Sequence, residues 1–215
     1  MIYALCGPGG AGKDTILDKI HKKGLAKSVV SYTTRPKRRG EIEGKSYHFI
    51  SREDFEAKIQ SGEFVEHVQF NDNYYGLPSR DFDDAFDQGI DSIVVVESEG
   101  LKQLQKLYPG QIEAIYVFTS AAELRNRMHE RGDKPATVDA RMARLDLERQ
   151  LLEGLYQYKV RNGDRHLQLA VDMVASIIKA NLARVQPHEI TLPGTQSIDP
   201  GLHGGSSPRA PEHGC

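Results

Sequence analysis

The chain has 215 residues, 39 % hydrophobic and 27 % charged, which suits one α/β domain of ordinary size with an insert and a tail. Its formal net charge of −2 excludes a general attraction to nucleic-acid polymers, so partners must be argued from local sites. Cys6 and Cys215 cannot form a disulfide framework, which points to a reducing cytoplasm, and no signal peptide or run of ~20 apolar residues is visible, so no membrane partner is expected.

Residues 2–6 form a short apolar run that reads as a strand, and Ile16, Leu17 and Ile20 mark an amphipathic helix from about Lys13 to Gly24. Between them lies Gly7-Pro8-Gly9-Gly10-Ala11-Gly12-Lys13-Asp14-Thr15, a G-x-x-x-x-G-K segment in the strand–turn–helix context that a phosphate-binding loop requires. Its glycines allow a tight turn that aims N–H groups inward, the helix start adds positive potential, and Lys13 would reach β- and γ-phosphates. The usual Ser or Thr after the lysine is here Asp14. It would hold magnesium directly or through water, or act only as a first-turn acid while Thr15 contacts phosphate.

Residues 28–32 read as a strand, followed by the basic loop Thr33-Thr34-Arg35-Pro36-Lys37-Arg38-Arg39-Gly40-Glu41 and the strand Tyr47-His48-Phe49. Hydroxyls interleaved with guanidinium forks favour a compact phosphate group over a solvated charged face. Ser51 starts a helix to Gly62, residues 63–70 alternate like a half-buried strand, and residues 74–77 complete a hairpin. Pro78 is expected in the first turn of a helix through about Gln88.

Residues 92–96 resemble a buried parallel strand, which places Glu97 at its carboxyl end, where ligands bind in open α/β sheets, with Glu99 as a helix-start acid. A helix over residues 101–107 and a strand over residues 112–118 follow. Ser120 and Glu123 match a capping box for a helix carrying Arg125, Arg127 and Arg131 and stopping at Gly132. Beyond Asp133-Lys134-Pro135, one long helix over residues 137–158 carries Arg141, Arg144 and Arg149. The pair of arginine-bearing helices would make a lid over phosphates, or else a solvated, ion-paired surface. A strand over residues 159–162, a helix over residues 166–184 and a disordered tail over residues 186–215 close the chain.

The phosphate loop, Ser31-Tyr32-Thr33-Thr34-Arg35-Pro36-Lys37-Arg38-Arg39-Gly40-Glu41 through Tyr47-His48-Phe49, Glu63-Phe64-Val65-Glu66 and Tyr74-Tyr75-Gly76 together resemble the guanylate kinase family across residues 2–183. The resemblance implies a three-layer α/β P-loop NTPase fold with a parallel sheet. It divides the chain into a core (1–32 and 81–185), a small mixed nucleoside-monophosphate-binding insert (33–80) and a helical lid (about 125–150). It also implies transfer of the ATP γ-phosphoryl group to GMP or dGMP with Mg2+, small-molecule nucleotides as partners, and a monomer or homodimer.

Carried over by position, Ser31, Arg35, Arg38, Tyr47 and Tyr75 would hold the acceptor phosphate and Glu66 would read the guanine edge. Lys13, Arg38, Arg131 and Arg141 would neutralise the transferring group, and Asn162 would neighbour the adenine. Three departures concern the base and the metal: Asp14; Leu77 where the family has a hydroxyl; and Glu97-Ser98-Glu99-Gly100 where it has Asp-x-Gln-Gly. They keep open a different or modified nucleoside monophosphate, or ribose 1,5-bisphosphate, as acceptor. An inactive protein-interaction module is the reading from another class, disfavoured by the intact Lys13, Arg131 and Arg141.

Overall fold

The computed structural model describes residues 1–185 apart from Arg39 and Asn71, so the tail expected over residues 186–215 lies outside the described residues. A five-stranded parallel sheet has the order β2-β7-β1-β8-β9, with β1 (Ile2–Cys6) at its centre beside β7 (Ser92–Val95) and β8 (Ile112–Phe118). Lys27–Ser28 (β2) and Tyr158–Arg161 (β9) form its edges.

Alternation along β1 sorts the core into two layers. Tyr3 and Leu5 face α1 (Lys13–Lys22) and α8 (Leu167–Val185), packing with Ile16, Ile20, Val174 and Ile178. Ile2, Ala4 and Cys6 face the opposite layer, where Phe82 of α3 (Ser79–Asp87) and Leu101 and Leu104 of α4 (Ser98–Leu107) are fully buried. The result is helix–sheet–helix layering with the carboxyl ends of β1 and β7 side by side, since Leu5 pairs with Val95.

The second sheet has the order β4-β3-β6-β5, formed by Tyr32–Thr33 (β3), His48–Phe49 (β4), Phe64–Phe70 (β5) and Asn73–Pro78 (β6). The helix α2 (Arg52–Gln60) packs Phe55 against it, with Phe55 and Phe64 rings stacked at 4.5 Å. Gly76 permits this packing: a Cβ there would lie 2.9 Å from both Phe55 and Phe64.

Several expected elements take different forms. The strand expected over residues 28–32 is divided between the sheets, because Ser28 pairs with Ile93 and Tyr32 with Gly76. Pro78 ends β6 instead of opening a helix, and α3 begins at Ser79. The single helix expected over residues 137–158 is α6 (Pro135–Ala143) and α7 (Leu145–Leu152), separated by Arg144. Gly154, at φ 78°, lies within the turn after α7, and Tyr158 belongs to β9. The capping box forms as expected at the start of α5 (Ala121–Glu130).

The first glycine of the loop carries the tightest constraint. Gly7 has φ 128°, and a Cβ would sit 2.2 Å from the Val117 carbonyl oxygen of β8, a backbone atom that cannot rotate away. Gly7→Ala is therefore expected to lower stability by about 1–3 kcal/mol through backbone strain alone. Urea unfolding checks this, and an unchanged midpoint would contradict the close approach.

Candidate active site

The loop between β1 and α1 is built by its glycines and held from behind. Gly10 and Gly12 adopt φ 91° and 89°, and Gly12 is the N-cap of α1 without any side-chain cap, so first-turn N–H groups are left for a ligand or solvent. Asn162, at the end of β9, donates from Nδ2 to the Ala11 carbonyl at 2.8 Å. A Cβ on Gly12 would meet that same Nδ2 at 2.3 Å. Arg127 of α5 donates to Gly10 O at 3.4 Å and Asn162 O at 2.8 Å while pairing with Asp164 at 2.9 Å. Loop, β9 and α5 thus form one frame. The Lys13 ammonium folds back onto the loop, donating to Gly7 O and, at 3.2 Å, to Pro8 O.

Across a cleft of about 640 Å³ stand the basic side chains. Arg35 grips Glu41 through a two-point fork, at 3.0 Å and 2.8 Å, and its guanidinium lies 5.3 Å from the Tyr47 ring centre. Glu41 also accepts the Arg38 backbone N–H at 2.7 Å. Burial opposes ionisation of Glu41, but the bonds from Arg35 and Arg38 outweigh it and hold its carboxyl below the usual range. Arg131 and Arg141 share Asp133 in the same manner. Arg38 has its pKa lowered by burial and by the charges of Arg35, Arg131 and Arg141, so these cations crowd one region, where Glu41 and Asp133 pair with them directly. Such an excess of fixed guanidinium charge favours a polyanion.

On the opposite wall, Asp14 and Glu97 line the same cleft. Burial pushes the Glu97 carboxyl up, Lys13 and Arg141 pull it down, and Asp14 adds to the rise. Oxygen donors of this kind suit Mg2+, which takes one or two carboxylates together with phosphates and water. Among the described residues, no group of three His, Cys, Asp or Glu side chains could hold a metal by itself.

Most expected site residues line this cleft: Pro8, Gly9, Gly10, Gly12, Lys13, Asp14, Thr15, Arg35, Arg38, Tyr47, Tyr75, Glu97, Arg131, Arg141 and Asn162. Gly7 and Ala11 are buried beneath the loop and take part through their carbonyls. Ser31 borders an adjoining crevice beside α1. Leu77 does not reach the cleft: it is fully buried among Phe82, Val94 and Leu101, where an apolar side chain completes the core. Glu66 is its cross-strand partner, following a register shift in β5 that leaves Glu66 on the buried face. Its Oε2 has no hydrogen-bond partner, and a Cβ on Gly100 would lie 2.4 Å away.

Glu41, Arg127 and Asp133 join the site although the residue reading singled out none of them as a site residue. Their signals were slight. Glu41 stood within the basic signature, Arg127 within a helix rich in arginine, and Asp133 within an apparent helix break.

Burial, reinforced by Glu97, raises the Glu66 carboxyl from 4.5 to about 8. The folded chain therefore binds a proton there more tightly than the unfolded chain, so its contribution is intact below pH 4.5 and lost as pH rises towards about 8. Glu66→Gln, a permanently neutral isostere, should match the wild type near pH 4 and be the more stable form at pH 9. Thermal unfolding at both pH values checks this, and parallel pH curves would contradict it.

A family model described as guanylate kinase matches residues 1–181. The guanylate kinase of Alkalilimnicola ehrlichii is 35 % identical over 196 residues, covering 90 % of this chain and 95 % of that protein. That of Enterococcus faecalis is 34 % identical over 188 residues, covering 86 % and 91 %. In structure, a guanylate kinase from Anaplasma phagocytophilum superposes with a TM-score of 0.69 at 27 % identity, over 84 % of this chain and 85 % of that one. The arginine-lined cleft beside a phosphate loop sits within this shared framework, and the chain belongs to the guanylate kinase family.

Proposed function

We propose that this chain transfers the γ-phosphoryl group of ATP to GMP or dGMP, giving ADP and the nucleoside diphosphate. The observation that carries this reading is the single cleft in which the glycine loop with Lys13 faces Arg35, Arg38, Arg131 and Arg141. In-line transfer requires little covalent participation from the protein; it requires two anionic ends held close, charge neutralised and water kept out.

In this reading the loop N–H groups and Lys13 bind the donor phosphates, which displaces Lys13 from the Gly7 and Pro8 carbonyls. Asn162 and Arg127 keep the loop in shape. Arg35, Arg38, Tyr47 and Tyr75 bind the acceptor phosphate, while Arg131 and Arg141, on the α5–α6 lid, spread the charge of the transferring group. The four-stranded sheet serves as the acceptor arm. Asp14 and Glu97 would hold Mg2+, which would supply positive charge to offset that of the phosphates.

The buried face around Glu66 serves the base. Guanine N–H groups would donate to the Glu66 carboxyl, whose Oε2 has no hydrogen-bond partner, and their donation would favour its ionised form. Ser31, in a crevice beside α1 that Tyr47 also lines, would approach the acceptor phosphate from that side, and Leu77 supports the wall from the core. Because Leu77 provides no hydroxyl, discrimination rests on Glu66. Among the described residues no helix is long and apolar enough to cross a membrane, and the buried free thiol of Cys6 accords with a reducing compartment such as the cytoplasm.

ADP release with ATP and Mg2+ should be observed for GMP and dGMP, and not at comparable rates for AMP, CMP, UMP, dTMP or ribose 1,5-bisphosphate. Lys13→Ala should lower kcat by on the order of 100-fold or more, the scale for losing a charge-stabilising donor. Preference for another acceptor would overturn the guanine assignment. Absence of turnover throughout, with ATP still bound, would favour a binding module.

A further inference from the structure

Asp133 occupies an unusual place: it is 9 % exposed at the side chain, yet it sits in a connection between two helices. Its backbone is fixed on both sides. At the end of α5, Gly132 takes φ 86° and donates to His129 O at 2.9 Å, while Asp133 donates to Met128 O at 3.0 Å. This double closure ties the last carbonyls of a helix to the residues just beyond it. Two residues later Pro135 occupies the first turn of α6, with its φ already set for a helix. The connection is therefore a rigid corner of the fold, and the Asp133 carboxylate projects from it at a set position.

That carboxylate holds both cleft-facing lid cations. Arg131 donates from Nε to Oδ1 at 3.0 Å and from Nη2 to Oδ2, a two-point fork. Arg141, which comes from α6, donates from Nη1 to the same Oδ2 at 3.1 Å. The Arg141 Nη1 also hangs over the phosphate loop, 3.7 Å from where a Gly9 Cβ would stand. Burial opposes the charge on Asp133, but Arg131, Arg141 and Arg38 outweigh it, so the carboxylate stays ionised. Each guanidinium has five N–H donors, so the grip on Asp133 leaves donors for a ligand. Without this anion, Arg131 and Arg141 would repel each other and Arg38, and both long side chains would regain their rotamer freedom.

We propose that Asp133 is a positioning residue, which acts by clamping Arg131 and Arg141 together at the mouth of the phosphate loop before any nucleotide arrives. It touches neither donor nor acceptor. Its contribution is to remove the disorder that these cations would otherwise lose during the reaction, so it acts on the transition state more than on acceptor binding. This inference rests on the phosphoryl-transfer reading of the cleft.

The test compares the wild type with Asp133→Ala, Asp133→Asn, Asp133→Glu, Arg131→Ala and the Arg131→Ala/Asp133→Ala double variant, by steady-state kinetics and thermal unfolding. Asp133→Ala should lower kcat by on the order of 100-fold while leaving the GMP KM within about threefold. Asp133→Glu should recover part of the loss, because it restores the anion. In the Arg131→Ala background, removing Asp133 should cost much less than it does alone, since most of its effect passes through that arginine. If Asp133→Ala does not fold, the near-isosteric Asp133→Asn takes its place in both arms. A wild-type kcat in the folded variant, or a full and additive loss in the Arg131→Ala background, would overturn the proposal. If the wild type itself shows no turnover, the phosphoryl-transfer reading fails separately. The same cycle is then read on ATP affinity by calorimetry, where additivity again overturns the clamp and non-additivity supports it.

Discussion

The organising constraint of this molecule is electrostatic: guanidinium groups are held close together in a protein cleft before their anionic partner is present. Like charges at such range repel, and partial burial weakens the screening that water would provide. The fold answers with a small number of ionised carboxylates. Glu41 anchors Arg35 and the Arg38 backbone, and Asp133 anchors Arg131 and Arg141 at the corner between α5 and α6. These anions leave the cleft net positive. The arginines are thereby ordered without being neutralised, which is the state a phosphate-bearing ligand can exploit.

The backbone supplies the second half of that arrangement. Helix α1 presents its uncapped start at the carboxyl end of the central strand, and the turn leading to it fits only because Gly7 lies directly against the β8 backbone. Asn162 and Arg127 then link the loop to β9 and α5. Since α5 also leads into the corner that holds Asp133, the glycine loop, Arg131 and Arg141 share one rigid support. Placement of this kind reduces the reorganisation required at the moment of transfer.

The parts most readily read from the sequence were those with local backbone requirements. Four glycines around Lys13, a Ser–Glu capping box at Ser120 and Glu123, and alternating burial in residues 63–70 each state their conformation within a few positions. The signature from Ser31 to Phe49 likewise indicated a phosphate pocket. What depended on distant contacts was hidden. Arg144 looks like an ordinary helical residue, yet it separates α6 from α7. Residues 28–32 have the composition of one strand, but their pairing partners lie in different sheets. Leu77 seemed to be a pocket residue by position, and only tertiary packing shows it sealed in the core. Asp133 was the least visible, because its importance arises from arginines on two different helices meeting at one oxygen.

Phosphorus NMR of the chain mixed with ATP, GMP and Mg2+ tests the central claim most directly, because it follows the destination of the γ-phosphoryl group itself. The account predicts loss of the ATP γ signal with equal growth of ADP and GDP resonances and no accumulation of inorganic phosphate. Release of inorganic phosphate without GDP would mean that the arginine cluster fails to align an acceptor, and it would contradict the account.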